Sequence, residues 1–215
     1  MDLTALRYVV VEGPIGAGKT SLARLLAERL GAELLLEAPA ENPFLARFYA
    51  EPARYALPAQ LNFLFQRADQ VKHLAQLSLF QRVVVADFML DKDPLFAELT
   101  LAEDELALYR KLYVHLQPQS PRPDLVLALQ ASSDTLLARV RQRGIRYEQA
   151  VAGDYLGRLS DAYIRLFHRY DAAPVLFVNT EGLNFVDNPD HLDLLVQRIT
   201  RMRGDREFFN VEAAG

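Results

Sequence analysis

The chain contains no cysteine, so it has neither a disulfide framework nor a cysteine-ligated metal site. Its four histidines are scattered, without the paired spacing that a zinc centre requires. No apolar run approaches the roughly 18 residues that span a bilayer. Met1-Asp2-Leu3-Thr4 lacks the basic and apolar regions of a secretory signal. These absences point to a soluble cytoplasmic protein with no membrane partner. An excess of basic residues is also missing: 24 Lys and Arg stand against 28 Asp and Glu, a net charge of −4. A generally basic surface for a nucleic acid polymer is therefore not expected, although a local basic cluster can still bind a small polyanion. What is present is ordinary globular material: 215 residues, 51% hydrophobic and 24% charged. That suffices for one domain with a substantial core.

Short apolar runs alternate with longer helical patterns. The runs are Tyr8–Val11, Leu34–Leu36, Val83–Ala86, Leu125–Leu129 and Val175–Val178. Runs this short and continuous suit strands buried on both faces of a parallel sheet. Leu22, Leu25, Leu26 and Leu30 fall at helical spacing, and Gly31 is placed to end that helix. Further helices are expected around 56–80, 103–117, 154–170 and 189–203. Ser132 or Ser133 is the expected cap of a helix running toward Arg143. Pro121 and Pro123 mark a loop before the fourth strand. The alternation argues for one α/β domain with a five-stranded parallel sheet flanked by helices. The long stretch between the second and third strands has room for two helices that cover a substrate.

Gly13-Pro14-Ile15-Gly16-Ala17-Gly18-Lys19-Thr20 fits the pattern G-x-x-x-x-G-K-[ST], between an expected strand and an expected helix. Glycines let the backbone wrap a phosphate closely, and successive N–H groups at a helix start favour the anion. Lys19 is placed to reach the β- and γ-phosphates, and the Thr20 hydroxyl to ligate Mg²⁺. The expected nucleotide-binding set runs from Gly13 through Thr20 to Ser21.

Glu37 and Asp87 end the second and third expected strands, where ligands of open α/β sheets collect. One carboxylate suits proton removal from an acceptor and the other suits Mg²⁺ support. Position alone also fits a strand-end cap or a surface ion pair. Arg139, Arg141, Arg143 and Arg146 cluster around Gly144. They fit a mobile arginine lid that stabilises a transferring phosphoryl group, or equally a solvated basic face. Phe44, Phe48, Tyr49, Tyr55, Phe63 and Phe65 fit core packing or base stacking. Gln60 and Arg67 lie seven residues apart on one helix face. They suit hydrogen bonding to a nucleobase edge or an internal polar contact.

Taken together, these residues resemble the deoxynucleoside kinase family, which includes deoxycytidine, deoxyguanosine and deoxyadenosine kinases. The resemblance runs from about Tyr8 to about Arg203. Glu37-Ala38-Pro39-Ala40-Glu41-Asn42-Pro43-Phe44-Leu45 is similar to the family's E-P-x-x-x-N-P-F-L stretch, and Phe48-Tyr49-Ala50-Glu51-Pro52-Ala53-Arg54-Tyr55 to the segment that follows it. The resemblance implies Glu37 as catalytic base and Tyr49, beside Phe48, at the sugar 3′-hydroxyl. It implies Gln60, Arg67 and Asp93 as base readers and Phe96 as an aromatic beside the base. Asp87 takes the acidic position of a D-R-S motif, with a role in catalysis and metal binding alongside Thr20. Arg139 to Glu148 resembles the lid, which implies Arg139 and Arg143 as catalytic with Lys19, and Glu148 at the 3′-hydroxyl. The implied cofactors are ATP and Mg²⁺, and a homodimer is the implied assembly.

Two residues depart from the family pattern. Phe88 stands where the D-R-S arginine belongs, so another cation has to replace it or substrate positioning weakens. Ile145 stands where the lid has its second arginine, with Arg146 one residue on. The expected activity is ATP-dependent phosphorylation of the 5′-hydroxyl of deoxyadenosine, deoxyguanosine or deoxycytidine, with thymidine disfavoured. A nucleoside monophosphate kinase and a non-catalytic nucleotide-binding module are the alternatives. The domain is expected over 1–203, its lid over about 139–150, with 204–215 as a tail.

Overall fold

Tyr8-Val9-Val10-Val11-Glu12 are all buried, as a strand covered on both faces requires. Their side chains part by alternation. Val9 and Val11 belong to one apolar cluster with Leu22, Leu26, Leu195 and Ile199. Tyr8 and Val10 belong to another with Leu159, Tyr163 and Phe167. Each such aliphatic side chain stabilises the fold by about 1.5–3 kcal/mol when fully buried, so the two faces of this strand anchor two helical layers.

The computed structural model describes residues 1–78, 83–116, 121–151 and 153–211. The elements in chain order are β1 (Tyr8–Glu12), α1 (Lys19–Leu30), β2 (Glu33–Leu35), α2 (Leu45–Ala50), α3 (Pro52–Ser78), β3 (Val84–Ala86), α4 (Asp93–Thr100), α5 (Glu103–Leu116), β4 (Leu125–Gln130), α6 (Ser133–Arg143), α7 (Gly153–Arg169), β5 (Val175–Asn179), α8 (Pro189–Arg201) and β6 (Arg206–Phe209). Parts of the expected helices, at 79–80 and 117, lie outside the described residues, as do 212–215 of the expected tail.

The strands pair in parallel in the order β2-β3-β1-β4-β5-β6. Val9 is in register with Val85 on one side and Leu125 on the other. From β1 the chain goes to the edge strand β2, returns to β3 beside β1, and then crosses to β4 on the other side of β1 and on outward. The connections thus part on either side of β1 and leave a crevice at the carboxyl ends of the strands. The expected count of five strands becomes six. Arg206–Phe209 joins the sheet beside β5, from Val175↔Arg206 to Val178↔Phe209. In this four-residue edge strand only Phe209 is buried, so it lacks the apolar run that marks the other strands.

Helix ends follow local chemistry. Ser132 is the cap of α6, its hydroxyl accepting from the Thr135 N–H. Gly31 ends α1 in the left-handed region at φ 60°, its N–H reaching Ala27 and Glu28 carbonyls. Between β1 and α1 the loop needs glycine for a further reason. Gly16 sits at φ 85°, and a Cβ there would lie 2.6 Å from the Leu136 carbonyl oxygen. The loop is thus packed main chain to main chain on α6. Both α2 and α3 fall between β2 and β3, joined through Phe48, Ala56 and Ala59. They form the wall opposite the loop.

Candidate active site

At the carboxyl end of β1 the chain turns sharply into α1. The Gly13 N–H donates to Glu12 Oε2 (2.9 Å), which pins the start of the turn. Lys19 folds back over the loop, its Nζ donating to the carbonyls of Gly13 (2.9 Å) and Pro14 (3.1 Å). Burial pulls the Lys19 ammonium below its usual range, against the opposing pull of Glu12, Glu37 and Asp87. The Thr20 hydroxyl donates to Asp87 Oδ2 at 2.5 Å. The other Asp87 oxygen accepts the Glu37 N–H at 2.8 Å, joining the ends of β2 and β3. Burial raises the Asp87 carboxyl above its ordinary value, while the hydrogen bonds from Thr20 and Glu37 oppose that shift. A hydroxyl and a carboxylate meeting beside a phosphate loop form a hard-oxygen pair that fits Mg²⁺, which takes few protein ligands and completes its shell with phosphate and water. Among the described residues there is no group of three His, Cys, Asp or Glu to cage a metal.

Beyond Asp87 lies a chain of alternating charges. Glu37 Oε1 accepts from Arg67 Nε (2.7 Å) and pairs with Nη2 (2.6 Å). Its Oε2 faces Lys92 Nζ at 3.3 Å. Lys92 reaches Glu12 Oε1 at 3.0 Å, and Arg67 Nη1 pairs with Asp93. Burial alone would raise the Glu37 carboxyl. The charges of Arg67 and Lys92, with the Arg67 hydrogen bond, outweigh burial and hold it at about 2. Glu37 is therefore ionised throughout the neutral range.

Most of the residues expected to contact substrate converge on one pocket. Glu37, Phe48, Tyr49, Gln60, Arg67, Phe96 and Glu148 line it, together with Lys19, Thr20 and Asp87. Gln60 is buried, and its amide donates to Thr100 Oγ1 at 3.3 Å. Asp93 is fully buried behind Arg67 and is not in the wall. A second, more open cavity runs along residues 16–21 and is walled by Arg139, Arg143 and residues 180–187. Gly13 and Pro14 stand outside both cavities and contribute their carbonyls to Lys19.

The arginine segment divides its contacts. Arg143 pairs with Glu148, bending the residues after α6 back on the helix. Arg139 donates to Thr180 Oγ1 (3.0 Å) and to the Thr180 carbonyl (2.6 Å). Arg146 is exposed and borders a separate groove with Ala46 and Ala50, so it does not stand in for an arginine at position 145. Tyr147 stacks on Tyr49. Phe88 is buried at 1% exposure and absent from the pocket wall.

Three participants were not marked as site residues in the sequence. Lys92 stands between Asp91 and the implied base reader Asp93, and nothing in its spacing marks it as buried. The 3-10 turn Leu90–Lys92 carries it inward to 2% exposure. Glu12 is the one charged residue in β1, and this was its available signal. Tyr163, whose hydroxyl donates to Glu12 Oε2 at 3.0 Å, carries no local signal.

A phosphate loop at the crossover of a parallel sheet, facing an ionised carboxylate across a shared pocket, defines a P-loop phosphotransferase. The family model for deoxynucleoside kinase matches residues 9–202, and the chain belongs to that family. Deoxyguanosine kinase of Bacillus subtilis is 31% identical over 200 residues, covering 91% of this chain and 97% of the relative. Deoxyadenosine kinase of Lactobacillus acidophilus is 32% identical over 197 residues, covering 85% and 90%. Deoxyadenosine kinase from M. mycoides with bound dATP superposes with a TM-score of 0.79 at 21% identity, covering 90% of this chain and 99% of that one. Family membership makes the chain an enzyme that phosphorylates deoxynucleosides.

Proposed function

We propose that the chain transfers the γ-phosphoryl group of ATP to the 5′-hydroxyl of a deoxynucleoside whose base carries an exocyclic amine, with purines preferred. The observation that carries this reading is the Glu37 carboxylate, ionised and aimed into a pocket bounded by the phosphate loop. Its Oε2 accepts the hydroxyl proton as the new phosphorus–oxygen bond forms, and the bridging oxygen leaves with ADP. Lys19, Arg139 and Arg143 carry the charge spread over the transferring group. Thr20 and Asp87 would hold Mg²⁺, which would supply neutralisation of the phosphate charge there. Tyr49 and Glu148 hold the 3′-hydroxyl, and closure of the segment after α6 excludes water.

Gln60 presents an amide to the base, and Arg67, fixed by Asp93, presents a donor edge beside it. The purine preference draws on the relatives named deoxyguanosine and deoxyadenosine kinase. A neutral sugar suits this pocket better than an acceptor phosphate, because Arg67 and Lys92, the buried cations beside Glu37, are already matched by carboxylates. This favours a nucleoside acceptor over a monophosphate. A single domain that runs past the expected limit of 203 to take in the sixth strand, Arg206–Phe209, belongs to the same proposal, with a homodimer and a cytoplasmic setting.

The test is ADP release with Mg-ATP, comparing deoxyadenosine, deoxyguanosine, deoxycytidine, thymidine and their monophosphates, alongside Glu37→Gln. Turnover with purine deoxynucleosides, and a loss of roughly 10²–10⁴-fold in kcat for the variant, is expected. Turnover with monophosphates alone would move the acceptor assignment, and a near-normal Glu37→Gln enzyme would remove Glu37 as base.

A further inference from the structure

We propose that Lys92 is the positioning residue for Glu37, holding the reactive carboxylate oxygen toward the acceptor while Glu12 anchors the ammonium from behind. This rests on Glu37 taking the acceptor proton.

The two oxygens of Glu37 are unequal. Oε1 is taken twice by Arg67, through Nε and Nη2. Oε2 is the oxygen left for the acceptor hydroxyl, and the group beside it is Lys92 at 3.3 Å. That separation orients the carboxylate without consuming its last lone pair. Lys92 itself has 2% of its side chain exposed, and an ammonium at that depth needs paired charge.

Glu12 does not need Lys92 for its hydrogen bonds. It already accepts from the N–H groups of Gly13 and Met89 and from the Tyr163 hydroxyl. A lysine retained only to neutralise Glu12 has no reason to reach the pocket wall, yet Lys92 lines it. The neighbouring residue completes the arrangement. Asp93 fixes Arg67, so two consecutive residues clamp both flanks of Glu37, one directly and one through the guanidinium. Phe88 brings no charge to this site, and Lys92, four residues on, does.

Removing Lys92 alone would leave two buried carboxylates without their shared cation, so the comparison is made with residue 12 already neutral. Steady-state kinetics of the full chain with Mg-ATP and deoxyadenosine or deoxyguanosine would compare Glu12→Gln with Glu12→Gln/Lys92→Met and Glu12→Gln/Lys92→Arg. The expected result is a kcat about tenfold to a hundredfold lower in the methionine variant, the cost typical of a misplaced reacting group. KM for ATP stays within about threefold of Glu12→Gln, as expected when binding common to ground and transition states is untouched. The arginine variant recovers most of the loss. Should the methionine variant fail to unfold cooperatively on heating, Lys92→Gln in the same background retains a hydrogen-bonding side chain and is read by the same criterion. Equal kcat in Glu12→Gln and the variants lacking a cation at 92 would overturn the role while leaving the reaction intact. A wild-type chain silent with every deoxynucleoside would instead overturn the reaction reading, and the role with it.

Discussion

Tyr49 and Tyr147 stack with ring centroids 5.9 Å apart and planes inclined by 16°. The contact joins α2, which carries a residue lining the acceptor pocket, to the 3-10 segment Arg146–Ala150 that follows α6. Aromatic pairs of this kind contribute about 0.5–1.5 kcal/mol beyond buried area. Tyr147→Ala should therefore raise KM for the deoxynucleoside about two- to tenfold, with nucleotide affinity nearly unchanged. Separate titrations of the two substrates check this, and equal effects on both would place the contact outside acceptor binding.

Glu37 makes a prediction about acid. Its carboxyl is held at about 2, below the ordinary 4.5. A depressed carboxyl contributes stability that is fully present above the unfolded-state value and is lost as pH falls toward the folded one. The stability difference between wild type and Glu37→Gln should be level from pH 8 to about 5, then shrink between about 4.5 and 2. Urea unfolding at stepped pH measures it. The same depression means that an acid limb in turnover above pH 5 arises from a group other than Glu37.

Thr20 donates to Asp87 at 2.5 Å, and both belong to the proposed Mg²⁺ site. Thr20→Val keeps the shape and removes the hydroxyl. The magnesium concentration for half-maximal turnover should rise at least severalfold, while the lost hydrogen bond to a carboxylate costs about 1.5–3 kcal/mol of stability. An unchanged magnesium requirement would release Thr20 from the metal.

Gly16 combines a left-handed backbone with a carbonyl 2.6 Å from where a Cβ would sit. Gly16→Ala should lower the melting temperature, since strained backbone of this kind costs about 1–3 kcal/mol before the clash is counted. It should also abolish measurable ATP binding. Calorimetry and nucleotide titration together test the point, and a variant that melts and binds like wild type would show that the loop can shift freely.

Where a feature was written locally, the sequence disclosed it. The phosphate loop, the Gly31 stop and the Ser132 cap each depend on residues within a few positions, and all are in the structure. Buried strands announced themselves as apolar runs, whereas Arg206–Phe209 did not, because an edge strand buries little. The same division governs the site. Glu37 and Asp87 were legible as acids at strand ends. Lys92 and Glu12 were not, because their meaning lies in a contact spanning 80 positions along the chain. Arg139 likewise finds Thr180 through tertiary packing that no spacing rule encodes.

The seat of the phosphate loop on the Leu136 carbonyl also sets the phase of α6. A contact between main chains is indifferent to which side chains surround it, so the helix surface can be substituted widely without turning Arg139 and Arg143 away from the cavity they share with the phosphate loop. Length is another matter. One residue inserted between Leu136 and Arg139 would swing both guanidinium groups about 100° around the helix axis, so this stretch tolerates new letters but not a changed count.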